Sequence, residues 1–185
     1  MPAHQHVTAA MVRRLNANTP THWPRYETVS GELLVTPAPR WWHQEVVDRL
    51  AFALRAYLMV EPVGLQVRAP ADVSWGLRDT MVQPDIFVVP LGEARTFDYR
   101  QIRHLLLAIE VLSPRTARAD RGVKRALYQR QGVPLYWIVD ADALSVEEWT
   151  PEATAPRIER DELVWHPAGA VAPCTIPLAA LFRPV

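Results

Sequence analysis

Two acidic residues and one lysine stand out by type and position. Asp85 begins the apolar run "PDIFVV", and Glu110 interrupts "LLLAIEVL". A carboxylate in a buried strand is costly unless it is paired, hydrogen-bonded or bound to a metal. Taken singly, a strand-entry turn would account for Asp85 and a salt bridge to one of the many arginines for Glu110. Lys124 is the only lysine in the chain, the other nineteen of its twenty basic residues being arginine. Arginine, alanine and proline are abundant and asparagine is scarce, a drift of the kind a GC-rich genome imposes. Under such drift a residue needed only for charge becomes arginine at little cost. A compact ammonium cannot be replaced that way, because guanidinium is planar, bulky and effectively never deprotonated. Chance survival of one lysine is the alternative, and its neighbours must decide.

Asp120, Lys124 and Tyr128 follow at i, i+4 and i+8, along nearly one face of a helix. A surface ion pair would give the same spacing, but arginine pairs with aspartate at least as well as lysine does. The short connection from Glu110 would fold this helix back over its parent sheet and bring Lys124 toward Asp85 and Glu110. Two carboxylates and an ammonium suit phosphodiester hydrolysis. The acids hold a divalent cation that polarises phosphate and water, and the lysine orients or deprotonates the water. Residues 115–130 carry six basic residues against one acid. Arg115, Arg118, Arg121 and Arg125 are therefore candidates for nucleic-acid contact, with a solvated helix face as the plainer reading.

The elements that must position these groups are readable from periodicity. "RYETVSGELLVTP" alternates and breaks at Ser30-Gly31, predicting a hairpin. "WWHQEVVDRLAFALRAYL" puts Val46, Val47, Leu50, Leu54, Tyr57 and Leu58 on one helical stripe. "GLQVRA" and "ADVSW" read as short strands flanking Ala69-Pro70, and "PDIFVVP" as a strand entered through proline. "HLLLAIEVLS" and "PLYWIVD" are apolar enough to be covered on both faces. Between them a helix is expected from about Asp120 to Gln131, closing near Gly132. "LSVEEWT" would pair back as a hairpin, and "IPLAALF" would dock as a turn or short helix. Trp41, Trp42, Trp137, Trp149 and Trp165 are assigned to core and hairpin packing rather than to base stacking.

At 185 residues with 49% hydrophobic content, the expectation is one mixed α/β domain over residues 24–185. Residues 1–23 would form an arm or short helix. The longest apolar runs are too short to cross a bilayer, and the opening residues are mixed and polar, so a soluble cytoplasmic protein is expected. A single cysteine, Cys174, excludes an internal disulfide framework and a cysteine-built zinc site. Acids and bases balance at twenty each, so any polyanion site must be local.

The stretches "RYETVSGELLVTPAP", "WWHQEVVDRLAFAL", "QPDIFVV", "AIEVLSPRTARADRGVKRALYQRQGVPLYWIVD" and "IPLAALF" resemble, in consistent order, the Uma-two family. This bacterial group is described as restriction endonucleases within the PD-(D/E)XK nuclease superfamily. The resemblance implies a restriction-endonuclease-like α/β (α+β) fold, a mixed sheet flanked by helices, with a Mg2+ (or Mn2+) site. Pro84 and Asp85 match the superfamily's "PD" and Glu110 its "(D/E)". Leu112 stands where the superfamily usually has lysine, and the family's lysine lies on the next helix, where Lys124 is found. The carry-over makes Asp85, Glu110 and Lys124 catalytic, with Asp85, Glu110 and the Val111 carbonyl toward the metal. Glu32, His43, Asp120 and Tyr128 are supporting residues, Glu32 being able to reach the metal or a bound water. The implied activity is metal-dependent endonucleolytic hydrolysis of nucleic acid, DNA first and RNA or a nucleotide as the other substrates. A nuclease-derived binding or assembly protein without turnover is the alternative. A homodimer would suit cutting of two strands.

Overall fold

The computed structural model describes residues 6–21 and 23–184. In chain order the elements are α1 (Ala9–Ala17), β1 (Arg25–Val29), β2 (Glu32–Thr36), α2 (Trp41–Val60), β3 (Gly64–Arg68), β4 (Ile86–Pro90), α3 (Leu91–Ala94) and β5 (Leu107–Val111). They continue with α4 (Ala117–Ala119), α5 (Arg125–Arg130), β6 (Tyr136–Asp140), β7 (Ser145–Trp149), β8 (Arg157–Glu159), β9 (Glu162–Trp165), β10 (Cys174–Pro177) and α6 (Leu178–Leu181). A π-helical turn, Asp120–Lys124, joins α4 to α5. Among the described residues no helix is long and apolar enough to cross a membrane.

Strands β3 to β8 form one six-stranded sheet in sequence order. Only β5 and β6 run parallel; the other neighbours are antiparallel. That one parallel pair needs a crossover, and the helical segment 117–130 supplies it. Hairpins β1–β2 and β9–β10 stand beside the sheet. The mixed sheet flanked by helices is the fold class the sequence predicts.

Period-two alternation gives the central strands two buried faces. Ile86, Val88, Leu107, Ile109, Trp137 and Val139 join one core with α2, β9, β10 and α6. Phe87, Val89, Ala108, Tyr136 and Ile138 join the other with Leu127 and Tyr128 of α5. The stripe read from α2 is the buried one: Val46, Leu50 and Leu54 are fully buried. Leu54→Ala leaves a hole in this core and is expected to cost about 2–5 kcal/mol, measured by denaturant unfolding.

Several local expectations change. "ADVSW" forms a single bridge, Val73 to Val82, before the chain turns through left-handed Trp75 and Gly76. The helix expected from Asp120 begins at Ala117 and carries the π turn. Trp137, Trp149 and Trp165 are buried as expected, but Trp41 is 79% exposed at the start of α2, on its outer side. At the N-terminus, Thr8 caps α1 by accepting from the Met11 N–H, and Asn16 holds both backbone groups of Tyr26. Residues 1–5 and 22 of the expected arm lie outside the described residues.

Candidate active site

Strand register brings the two acids together. The pairing of Ile86 with Ile109 and Phe87 with Ala108, extended by one position, sets Asp85 opposite Glu110. Both then share the face of Phe87 and Ala108, the face covered by the segment 117–130. The backbone N–H of Val111 donates to Asp85 Oδ2 at 2.9 Å. His43 Nε2 lies 3.2 Å from that same oxygen, and Arg25 Nη2 donates to Oδ1 at 3.2 Å.

Lys124 descends onto Glu110 from the last position of the π turn. Its Nζ donates to Glu110 Oε1 at 2.9 Å, lies 2.9 Å from Glu27 Oε2 and 3.5 Å from Asp120 Oδ1. The Tyr128 hydroxyl donates to Glu110 Oε1 at 3.1 Å. Asp120, Lys124 and Tyr128 thus all face inward. Lys124 is only 3% exposed, so its ammonium is held by carboxylates rather than by water. A π turn within a helix widens it by one residue and often marks a functional site.

Glu27 is the residue that sequence reasoning missed. It is buried on β1, takes the Gln83 N–H at 2.7 Å on Oε1 and offers Oε2 to Lys124. Alternation in "RYETV" puts Arg25 and Glu27 on the face of Val29, a core residue, but alternation alone does not say which face turns inward. Glu32, expected near the metal, is exposed at the first position of β2 opposite Val29. It lines neither cavity beside Asp85. The register puts Glu32 on the same face as Val29 and Glu27 but at the turn end of the hairpin, while Glu27 takes the place beside Lys124.

Burial governs the electrostatics. It would raise the Asp85 carboxyl, but His43 by hydrogen bond and charge, then Arg25 and the Val111 N–H, hold it at about 2. Burial pushes Glu110 well above the carboxylate range against the pull of Lys124, and Asp120, Asp85 and Glu27 add repulsion. Asp120 is pushed up to about 6, again by burial and against Lys124. Burial would lower the Lys124 ammonium, but Glu110, Glu27 and Asp120 together raise it well above the ordinary lysine range.

Four carboxylates (Glu27, Asp85, Glu110 and Asp120) therefore face two fixed cations, Arg25 and Lys124. This excess of acidic groups, with Glu110 and Asp120 held above the ordinary carboxylate range by burial, is the observation that fits a divalent cation. Among the described residues no group of three or more His, Cys, Asp or Glu side chains is arranged to hold a metal ion. Magnesium asks for less, since it keeps several waters and takes one or two carboxylates. Asp85, Glu110 and the Val111 carbonyl are an all-oxygen set of that kind. The contacts of Glu110 fall on Oε1, which leaves Oε2 for a cation.

A cavity of about 230 Å³ opens over the cluster, lined by Asp85, Glu110, Val111, Asp120 and Lys124, with Arg115 among its further walls. Of the four arginines proposed for nucleic acid, only Arg115 lines it. Arg118 is exposed. Arg121 is taken by Glu147 at 2.6 Å and Asp140 at 3.0 Å. Arg125 stacks on Trp149 at 4.6 Å and donates to Gln129. Arg25 and Arg40 line the cavity instead, and the charge count over residues 115–130 could not have found them.

The comparisons with known proteins agree with this architecture. A family model, Uma2, described as "Putative restriction endonuclease", matches residues 12–174. Among solved structures the chain is similar to one from Anabaena variabilis ATCC 29413, described as a "putative nuclease belonging to DUF820". The TM-score is 0.70 at 20% identity, over 86% of this chain and 90% of that one. Comparison with curated proteins gives no match.

Proposed function

The chain belongs to the Uma2 family, and from that premise we propose that it is a metal-dependent endonuclease hydrolysing phosphodiester bonds, with DNA as substrate. The observation that carries the reading is the buried Lys124 ammonium, 2.9 Å from Glu110, whose carboxylate faces Asp85 across neighbouring strands. The family's description supports a DNA substrate. Fold likeness alone would not, since one fold hosts many functions.

Asp85, Glu110 and the Val111 carbonyl would hold the cation, which when bound supplies charge stabilisation at phosphate and a more acidic water. His43 and Arg25 keep Asp85 ionised and fix the direction of its two oxygens. Tyr128 fixes Glu110 by donating to the same oxygen as Lys124. Lys124, kept as an ammonium by Glu27 and Asp120, donates a hydrogen bond to the attacking water and stabilises charge developing on the phosphate oxygens. Water's oxygen bonds to phosphorus as the bridging P–O bond breaks, the water's proton passing to solvent in the open cavity and the leaving oxygen taking one from solvent.

Mn2+ should stabilise the wild-type protein. At one hundred times its dissociation constant a bound ion adds about 2.7 kcal/mol, a rise in Tm of roughly 5–10 °C for a domain of this size. Glu110→Gln should show little of that rise in a thermal melt. Substrate class is tested by single-turnover cleavage of a DNA duplex and an RNA duplex of the same sequence, both with Mn2+. Cutting of DNA alone supports the reading; equal or preferential cutting of RNA overturns the choice of DNA.

A further inference from the structure

The depression over Asp85 continues beyond it. A second cavity, of about 360 Å³, is also lined by Trp23, Arg25, Pro39, His43 and Asp85. One arm reaches Lys124 and Arg115, and the other reaches Gln44 and Pro70. A polymer lying along both arms would have one phosphodiester over Asp85 and Glu110 and a neighbouring one against the shared wall.

Two independent features of that wall suit an anion. Arg25 is only 8% exposed. It gives Nη2 to Asp85 and stacks on Trp23 at 4.8 Å, yet its buried Nε has no hydrogen-bond partner among the described residues. A buried guanidinium N–H without an acceptor is costly, and the arginine that carries it lines both cavities. The second feature is the start of α2, a helix of 20 residues, whose Pro39 approach and His43 line both cavities. Its N-cap, Arg40, makes no side-chain capping bond, and its first turn carries no acid. The N–H groups of Trp41, Trp42 and His43 therefore lack an intrahelical acceptor, at the positive end of the helix dipole.

The geometry points to a second phosphate subsite, formed by Arg25 and the first turn of α2, that binds the phosphodiester next to the one being cut. The inference rests on the nuclease reading and deepens it. Over Glu110 and Asp120 a phosphate meets an excess of acidic groups and needs a cation; at this wall it meets donors directly. A subsite beyond the cutting point also fits cleavage within a chain rather than trimming from its end.

The test reads binding without turnover: anisotropy of a fluorescein-labelled DNA duplex, in EDTA, across a series of NaCl concentrations. Arg25→Gln should weaken binding, and its log–log salt dependence should be shallower by about 0.9, one phosphate contact on duplex DNA. Arg40→Ser and Arg40→Ala remove the same charge, but serine caps the helix and occupies the donors. The serine variant should melt higher than the alanine variant and bind DNA about threefold more weakly, a preference of the size an N-cap provides. An unchanged salt slope in folded Arg25→Gln overturns the subsite, and equal binding by the two Arg40 variants does the same. Should Arg25→Gln not fold, the Arg40 pair decides. Wild-type protein that cuts nothing, with these differences present among the variants, would sink the nuclease reading and leave the subsite standing. Intact cleavage without the binding differences would remove the subsite alone.

Discussion

Lys124→Arg is expected to abolish cleavage almost as completely as Lys124→Met, although it keeps the charge. The reason is space and direction. Nζ sits 2.9 Å from Glu110 and from Glu27 and 3.5 Å from Asp120, in a pocket where the side chain is 3% exposed. A guanidinium brings two further nitrogens into that volume, and overpacking of this kind costs about 1–3 kcal/mol. Its planar fork also divides the charge among donors that point differently. Losing one aligned donor to a transition state costs about 10²–10³ in rate, and that loss is expected of both variants. They separate on stability. Lys124→Met leaves three carboxylates without their cation, and breaking a buried pair costs about 3–5 kcal/mol, less what protonation of Glu110 and Asp120 recovers. Cleavage rates with Mn2+ and thermal melts of the same samples read both effects. An arginine variant that cuts like wild type would show that any cation suffices.

Asp85→Asn should lose activity by at least about 10²-fold as well, by a different route. The change keeps shape but removes the formal charge that balances Arg25. One amide oxygen can still accept from Arg25. The amide nitrogen must then face the Val111 N–H, which donates to Oδ2 at 2.9 Å in the native protein, so two donors meet. A buried donor left without an acceptor costs about 1–3 kcal/mol, small enough for the fold to survive. The variant should therefore melt cooperatively, somewhat below wild type, and show no Mn2+-dependent rise in Tm. Loss of cleavage with the metal response intact would move Asp85 from holding the cation to positioning other groups.

How much of this was legible in the sequence depends on the range of the interaction. Strands β4, β5 and β6 announce themselves because a strand covered on both faces must be apolar throughout. The same rule exposes Glu110 as an anomaly. Helix α2 is legible through its stripe, and Lys124 through the arginine background. Glu27 and Arg25 were hidden for a physical reason: β1 alternates, but which face turns inward is set by packing of the hairpin against Lys124 and Gln83, far along the chain. Glu32 shares the face of Glu27 but stands at the turn end of the hairpin, and matching a motif does not show how far along the strand the site lies. The π turn has no local signature in "DRGVK". Charge counting over residues 115–130 found Arg115 at the cavity but could not see that Asp140, Glu147 and Trp149 already engage Arg121 and Arg125. Arg25 and Arg40 belong to other elements and meet Asp85 only in the fold.

The most direct measurement incubates purified wild-type protein with supercoiled circular DNA and Mg2+ or Mn2+, with an EDTA control, and resolves the products on a gel. The account predicts nicked and linear DNA with either cation and none with EDTA. DNA that is bound but remains supercoiled with both cations would contradict it.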